Sequence, residues 1–457
     1  MPLPVFPYQD YGAQQCASHD VYGLHDEMGV GKTATIIRAM EYIVASRGIV
    51  IAPAMLRENW IGEYRKFSNF GLKLCKGMTI HDYIAWKRGK YDILITSYEQ
   101  ATKWAPDIVS SGTVVDFVAM DEAHYLKNSN AKRTKAITGP AYDGVNGILG
   151  FARHVWHITG TPMANDPLDI YTFLSVCRAL NGMTEAAFTR KFFYSHVTAY
   201  GARQAVKPEA LPDLQALIAN NSIRRTQKDV GLDLPPIFMT TALVDGDTKA
   251  IVELLKEYPG LDSAIERAIS QGGLSFLEAQ HIATLRRLIG EAKAVPYAEV
   301  LVEELAGGAG KRVVFGIHKD ALLLVRDHLL NHNIKCVVIN GDTPERDRMA
   351  SVNAFQERDE IKVFIGNIRA AGVGLTLTAS CDIDMLESDW SPAGNAQAIK
   401  RIHRIGQTRN VRARFITLAR SFDETVNRIV AAKTASIAQV EGEAMNAIPL
   451  DALAQFV

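Results

Sequence analysis

The string DEMGVGKT, Asp26 to Thr33, holds the residue types that a phosphate chain needs. Gly29 and Gly31 let the backbone turn its N–H groups toward phosphate oxygens, and the helical sequence that follows through Met40 sets the positive end of a helix behind them. Lys32 supplies a cation for the β- and γ-phosphates, and Thr33 a hydroxyl for Mg2+. Asp26 stands where the strict phosphate-loop pattern has its first glycine, so this string by itself is also compatible with an ordinary turn. A second string, DEAH at Asp121 to His124, follows the apolar run Phe117–Met120. There Asp121 is suited to orient a magnesium ion or its water, and Glu122 to orient and deprotonate the water that attacks the γ-phosphorus. A third, QAIKRIHRIGQ at Gln397 to Gln407, sets Arg401 and Arg404 on one helical face. Paired arginines of this kind stabilise charge on a transferred phosphoryl group, although a basic helix facing solvent or nucleic acid shares the pattern.

Such groups must be carried to one place by a scaffold. Short runs rich in Val and Ile alternate with longer amphipathic stretches, the signature of βαβ units around a parallel sheet. Strand candidates are Gly48–Ala52, Tyr91–Thr96, Phe117–Met120 and Val155–Thr159, then Arg312–Phe315, Cys336–Ile339, Val363–Gly366, Ile383–Leu386 and Arg414–Leu418. The expected fold is α/β: two RecA-like parallel-sheet lobes with helical insertions between them. The first lobe is placed at 1–235, with a helical insert at about 167–230, and a helical linker at 236–310. The second lobe is placed at 311–440 and a tail at 441–457. Ser270–Glu278, with Gly272 and Gly273, reads as a break between helices.

A chain of 457 residues is long enough for two or three cores, and its 47% hydrophobic and 22% charged residues are those of an ordinary globular protein. Lys plus Arg equals Asp plus Glu at 50 each, so attraction to a polyanion must come from a local patch. Five scattered cysteines without a C-x-x-C pair suggest neither a zinc site nor a disulfide framework. No leader and no membrane-spanning run are evident, which points to a cytoplasmic protein, or a nuclear one if the source is eukaryotic. The absence of a lysine-rich run tilts the reading toward a prokaryotic or viral source.

Together the motifs resemble those of the SWI/SNF-type DNA-dependent ATPases of helicase superfamily two. DEMGVGKT resembles that family's phosphate loop, IAPAMLRENWIGEYRKF its motif Ia, DILITSYEQ motif Ib and MDEAHYLKNSNAKRTKA motif II. ITGTPMANDPLDIYTFL resembles motif III, and IRRTQKDVGLDLPP the stretch that closes the first lobe. VVFGIHKD is similar to motif IV, NIRAAGVGLTLTAS to motif V and QAIKRIHRIGQ to motif VI, so the resemblance runs from about Tyr8 to Val426. Motifs IV and V are worded most like the HepA-related, annealing-helicase branch.

The resemblance implies roles beyond those read from residue type. Gln9 would read the adenine edge, and Gly374 would belong to the second-lobe loop, with Gly372, Leu375 and Thr376, that lies between ATP and DNA. Thr159, Gly160, Thr161 and Gln397 would couple hydrolysis to lobe movement, and closure would bring Arg401 and Arg404 to the ATP site. DNA would be gripped through phosphates, without base specificity, by Arg57, Asn59, Thr96, Lys127, Asn165, His318, Lys319, Arg369 and Thr376. Trp390 aligns with an aromatic near the entry to motif VI, where a core tryptophan is the simpler account. ATP and Mg2+ are the implied cofactors, with Thr33 and Asp121 on the metal. Double-stranded or branched DNA is the implied partner, joined by a DNA-bound or recruiting protein, and the chain is expected to be a monomer. No accessory reader module is expected, which leaves targeting to the core, the helical insert or a partner.

Two other readings compete. A strand-separating RNA or DNA helicase would more naturally carry a motif VI ending in G-R-x-G-R, unlike HRIGQTRNV here. A DNA-binding scaffold with little turnover would show decay of Lys32, Glu122 or the arginine pair, and all four are intact.

Overall fold

The computed structural model describes residues 2–139, 146–163, 167–198, 201–232, 234–261, 276–368, 375–389, 392–404 and 406–424. Its chain divides into two compact units, Met1–Phe193 with Val206–Asp233, and Tyr194–Ala205 with Leu234–Val457. No described helix is long and apolar enough to cross a membrane.

The first sheet is built from β1 (Val21–Leu24), β2 (Gly48–Ile51), β3 (Leu74–Gly77), β4 (Ile93–Thr96), β5 (Val115–Asp121) and β6 (Ala152–Ile158). Next come a small two-stranded sheet of β7 (Phe193–Thr198) and β8 (Gly201–Val206), and the short β9 (Ser222–Ile223). The order across the main sheet is β3-β4-β2-β5-β6-β1-β9, parallel throughout. Its central strands are continuous apolar runs such as Ile93–Ile95 and Phe117–Met120, buried on both faces as a helix-covered parallel sheet requires. Helix α1 (Pro7–Ser18) packs on helix α2 (Lys32–Tyr42), which follows β1 directly, and α3 (Arg57–Phe67) follows β2. On one flank Tyr83 and Trp104 stack with ring centroids 4.9 Å apart beside the fully buried Trp86.

The second sheet contains β10 (Ile237–Val244), β11 (Arg312–Gly316), β12 (Lys335–Ile339), β13 (Ile361–Asn367), β14 (Asp382–Met385) and β15 (Val411–Leu418). These are also parallel, in the order β10-β15-β14-β11-β13-β12. Phe315, Phe355 and Phe364 fill one face, while Tyr297, Leu301 and Leu329 fill the other. The α/β architecture with two parallel-sheet lobes is the one expected from the alternating pattern.

Strands depart from that reading in two places: β7, β8 and β9 lie within the stretch expected to be a helical insert at about 167–230, and β10 lies in the expected helical linker. The segment after Pro236 is expected to be helical, yet β10 pairs with β15 over eight residues of register. Its residues alternate between half-buried and exposed, as an edge strand dictates, so it lacks the continuous apolar run that marks the central strands. Among the described residues, the rest of that stretch holds the helices Lys249–Glu257 and Phe276–Ala306. Most of the expected break at Ser270–Glu278, and the tail beyond Glu424, lie outside the described residues.

Candidate functional site

The order β5-β6-β1 sets three segments side by side at the carboxyl edge of the first sheet: the acid pair at the end of β5, Thr159–Thr161 after β6, and the phosphate loop after β1. Ligands of open parallel sheets bind at this edge. Gly29 and Gly31 take φ of 86° and 89°, in the left-handed region where a side chain would be strained, and Gly31 is the N-cap of α2. A Cβ on Gly31 would fall 2.2 Å from Gln9 Nε2. Lys32 Nζ donates to the carbonyls of Asp26 at 2.8 Å and Glu27 at 3.1 Å, which holds its ammonium within the loop. Gly160 closes on the same point, since a Cβ there would lie 2.8 Å from Met28 Cγ and 3.2 Å from Lys32 Nζ. Burial lowers the Lys32 pKa, against the pull of Glu122, Asp26 and Asp121.

Asp121 is buried at the end of β5, where its Oδ2 accepts from Trp60 Nε1 at 2.8 Å and its carbonyl accepts from the Tyr98 hydroxyl at 2.8 Å. Burial, and then the neighbouring charge of Glu122, push the Asp121 carboxyl up to about 6. Glu122 is held at φ 51°, a left-handed conformation that costs a non-glycine residue about 1–2 kcal/mol. Its Oε2 lies 3.3 Å from His124 Nδ1, and that nitrogen is 3.1 Å from Thr159 Oγ1. The Thr161 amide donates to the same Thr159 oxygen at 3.1 Å. The predicted residues Lys32, Asp121, Glu122, Thr159, Gly160 and Thr161 are thus brought together. The buried Thr161 hydroxyl has no partner among the described residues.

Several residues that hold this site were not singled out from the sequence. Arg225 Nε donates to Asp26 Oδ1 at 3.0 Å and Nη2 to Oδ2 at 2.5 Å, a bidentate pair on the residue that replaces the first loop glycine. Arg224 Nη1 donates to the carbonyls of His25 and Gly160 at 3.0 and 3.3 Å. The Gln227 amide donates to Glu27 Oε2, and its side chain to the Met28 carbonyl, each at 2.8 Å. Gln9 braces the loop from the other side, its Nε2 donating to the Val30 carbonyl at 3.2 Å while Oε1 accepts from the Phe6 amide at 2.9 Å. The Tyr8 hydroxyl reaches the same carbonyl at 2.9 Å.

The chemistry of this donor set fits a polyphosphate: backbone N–H groups at a helix start, one ammonium and one hydroxyl. It also fits magnesium. Among the described residues no cluster of three or more His, Cys, Asp or Glu could hold a metal, and a hydroxyl with one carboxylate suits an ion that takes its remaining ligands from phosphate and water.

In the second unit, the buried Arg401 donates from Nε to the Gln397 carbonyl at 3.1 Å. Arg404 Nη1 donates to Leu375 O and Thr376 Oγ1, both at 3.1 Å, which joins the basic string to Thr376. Of the DNA candidates, Arg57 and Thr96 turn inward and each donates to the Gly77 carbonyl at 3.3 Å. Asn59 is exposed, and Lys127 Nζ lies 3.5 Å from Asp169. His318 Nδ1 is 2.6 Å from Glu387 Oε1, while Glu387 Oε2 accepts from the Ile317 and His318 amides at 2.8 Å each. Lys319 is exposed and pairs with Asp342. Asn165, Arg369, Gly372, Gly374 and Trp390 lie outside the described residues.

Comparison with known proteins bears on the whole chain. The mouse DNA annealing helicase and endonuclease ZRANB3 is 26% identical over 432 residues, which cover 92% of this chain and 39% of that protein. A fruit-fly SWI/SNF-related matrix-associated actin-dependent regulator of chromatin subfamily A-like protein 1 is 26% identical, covering 88% of this chain and 51% of the relative. The chain spans about two-fifths of the length of the ZRANB3 relatives it matches. Among solved structures, the Sulfolobus solfataricus SWI2/SNF2 ATPase core in complex with dsDNA matches with 20% identity and a TM-score of 0.45, covering 100% of this chain and 97% of that one. The helicase conserved C-terminal domain family matches residues 297–406, and the SNF2-related domain family matches residues 18–249, more than half of the chain. The chain belongs to the SNF2-related family.

Proposed function

We propose that the chain is a DNA-stimulated ATPase that moves along double-stranded DNA, remodelling or displacing bound protein, or re-annealing and regressing branched DNA. The observation that carries this reading is the meeting of Lys32, Asp121, Glu122 and the Thr159–Thr161 turn at one sheet edge. Loop amides, Lys32 and Thr33 bind the phosphates, with Gln9 beside the loop for the base. Thr33 and Asp121 would hold a magnesium ion, which would offset phosphate charge. Glu122 orients the attacking water and takes its proton, while His124 and Thr159 hold Glu122 and connect it to the turn that couples hydrolysis to movement. Arg401 and Arg404 supply the second lobe's cations in the catalytic cycle, with Gln397 beside them. Asn59, Lys127, His318, Lys319 and Thr376 are the phosphate-gripping residues retained for DNA.

The annealing outcome is favoured by the name that the ZRANB3 relatives carry. The protein works as a monomer, in the cytoplasm of a prokaryote or infected cell, or in the nucleus if its source is eukaryotic. Steady-state ATP hydrolysis with fork, duplex, single-stranded DNA or RNA tests the reading. A fork response above that to plain duplex marks the annealing outcome, equal responses mark duplex translocation, and stimulation by RNA alone would replace both with an RNA helicase.

A further inference from the structure

Beneath the phosphate loop, two imidazoles face each other across neighbouring strands. His25 follows β1 and His157 lies in β6, with His25 Nε2 and His157 Nδ1 3.0 Å apart, one donating and the other accepting. Exposure is 0% for His25 and 8% for His157. Phe173 covers both rings, with centroid distances of 4.7 Å to each. Gly23 stands opposite His157 in the register of the two strands, and a Cβ on it would fall 2.7 Å from His25 Nε2. The strand therefore has no side chain where the His25 ring lies.

Two aliphatic side chains would fill this space without an orphaned polar atom, whereas His25 Nδ1 has no partner among the described residues. Lys32 and Arg224 act on His25, and His124 on His157, so added positive charge is opposed from both sides. Burial, reinforced by these neighbours, keeps both rings neutral. Contacts continue in both directions from the pair. The next two carbonyls after His25, those of Asp26 and Glu27, hold Lys32. Two residues after His157, Thr159 meets His124, which meets Glu122.

We propose that His25 and His157 are positioning residues for ATP hydrolysis: their hydrogen bond latches the strand entering the phosphate loop to the strand entering the Thr159–Thr161 turn, so that Lys32 and Glu122 keep one relative placement. This rests on the ATPase reading above. The latch is distinct from core packing because its removal in pairs separates stability from rate. His157→Leu leaves His25 with two buried nitrogens unpaired, so both melting temperature and turnover fall. His25→Leu with His157→Leu removes both polar groups, and stability returns most of the way. Turnover does not return: DNA-stimulated kcat stays down about tenfold while KM for ATP moves by less than about twofold. His157→Asn, whose amide reaches the place of Nδ1, recovers most of the parental kcat, whereas His157→Val does not.

These variants are assayed as full chains beside the parent, with melting temperature, kcat and KM measured on one preparation. A double variant that regains both stability and parental kcat overturns the latch. Should the double variant not fold, equal kcat for His157→Asn and His157→Val overturns it instead. A parent that hydrolyses no ATP removes the ATPase reading and the latch with it, whereas a hydrolysing parent with indifferent variants removes the latch alone.

Discussion

Both lobes carry charged side chains in and beside a parallel sheet, but the surroundings act on them in opposite directions. At the carboxyl edge of the first sheet, burial pushes the Asp121 carboxyl up to about 6 and lowers Lys32, and Glu122 sits in a left-handed conformation. In the second, carboxyls are held below their ordinary range despite burial, Asp382 by Arg412 and Glu387 by His318 and two backbone amides. Arg414 spans Asp384 and Glu304, and Arg312 shares both partners. Charge that is paired within the fold stabilises the fold. Charge left under-compensated at a sheet edge marks a place where a ligand completes the pairing. The contrast separates two kinds of buried ion that look alike in sequence.

Breaking each side should have different consequences. Arg404→Ala, which removes a proposed catalytic cation, is expected to lower DNA-stimulated turnover by about 10³-fold with little change in melting temperature, as read by steady-state kinetics and thermal unfolding. Asp384→Leu takes one of the two carboxylate partners of Arg312 and Arg414 in the second lobe, leaving Glu304, and should lower its unfolding free energy by about 3–5 kcal/mol in denaturant melts. Turnover of the still-folded fraction should hardly move. Trp60→Phe removes the indole donor to Asp121 Oδ2 and is expected to reduce kcat/KM by about tenfold.

Stability should also depend on pH. His157 is pushed down to about 3 by burial and by His124, against an ordinary value of 6.5. The unfolded chain therefore takes up the proton first. Stability from this group is complete above pH 6.5 and is lost as pH falls toward 3, at about 1.4 kcal/mol per pH unit. Thermal melts across that range should show the slope, and His25→Leu with His157→Leu should flatten it.

Much of the site was legible because its chemistry is local. Gly29, Gly31, Lys32 and Thr33 lie within five residues, Asp121 and Glu122 are adjacent, and the acid pair follows the apolar run Phe117–Met120 that reads as a strand. What holds those strings together was not legible. Arg225 reaches Asp26 across 199 residues, and nothing in a run of two arginines indicates which carboxylate they will meet. Trp60 lay within a recognised motif, but its partner, Asp121 at the end of β5, is 61 residues away in the chain. Arg57 and Thr96 show the converse, since the resemblance implied phosphate contact and both side chains turn to the Gly77 carbonyl. Among the strands, β10 was passed over because an edge strand shows only weak alternation.

The most direct test is steady-state ATP hydrolysis by the unaltered chain with and without double-stranded DNA, with Glu122→Gln as the blank. The account predicts strong stimulation by duplex DNA that falls about 10²–10⁴-fold in the blank. Hydrolysis that is indifferent to every nucleic acid, or that survives in Glu122→Gln, would contradict it.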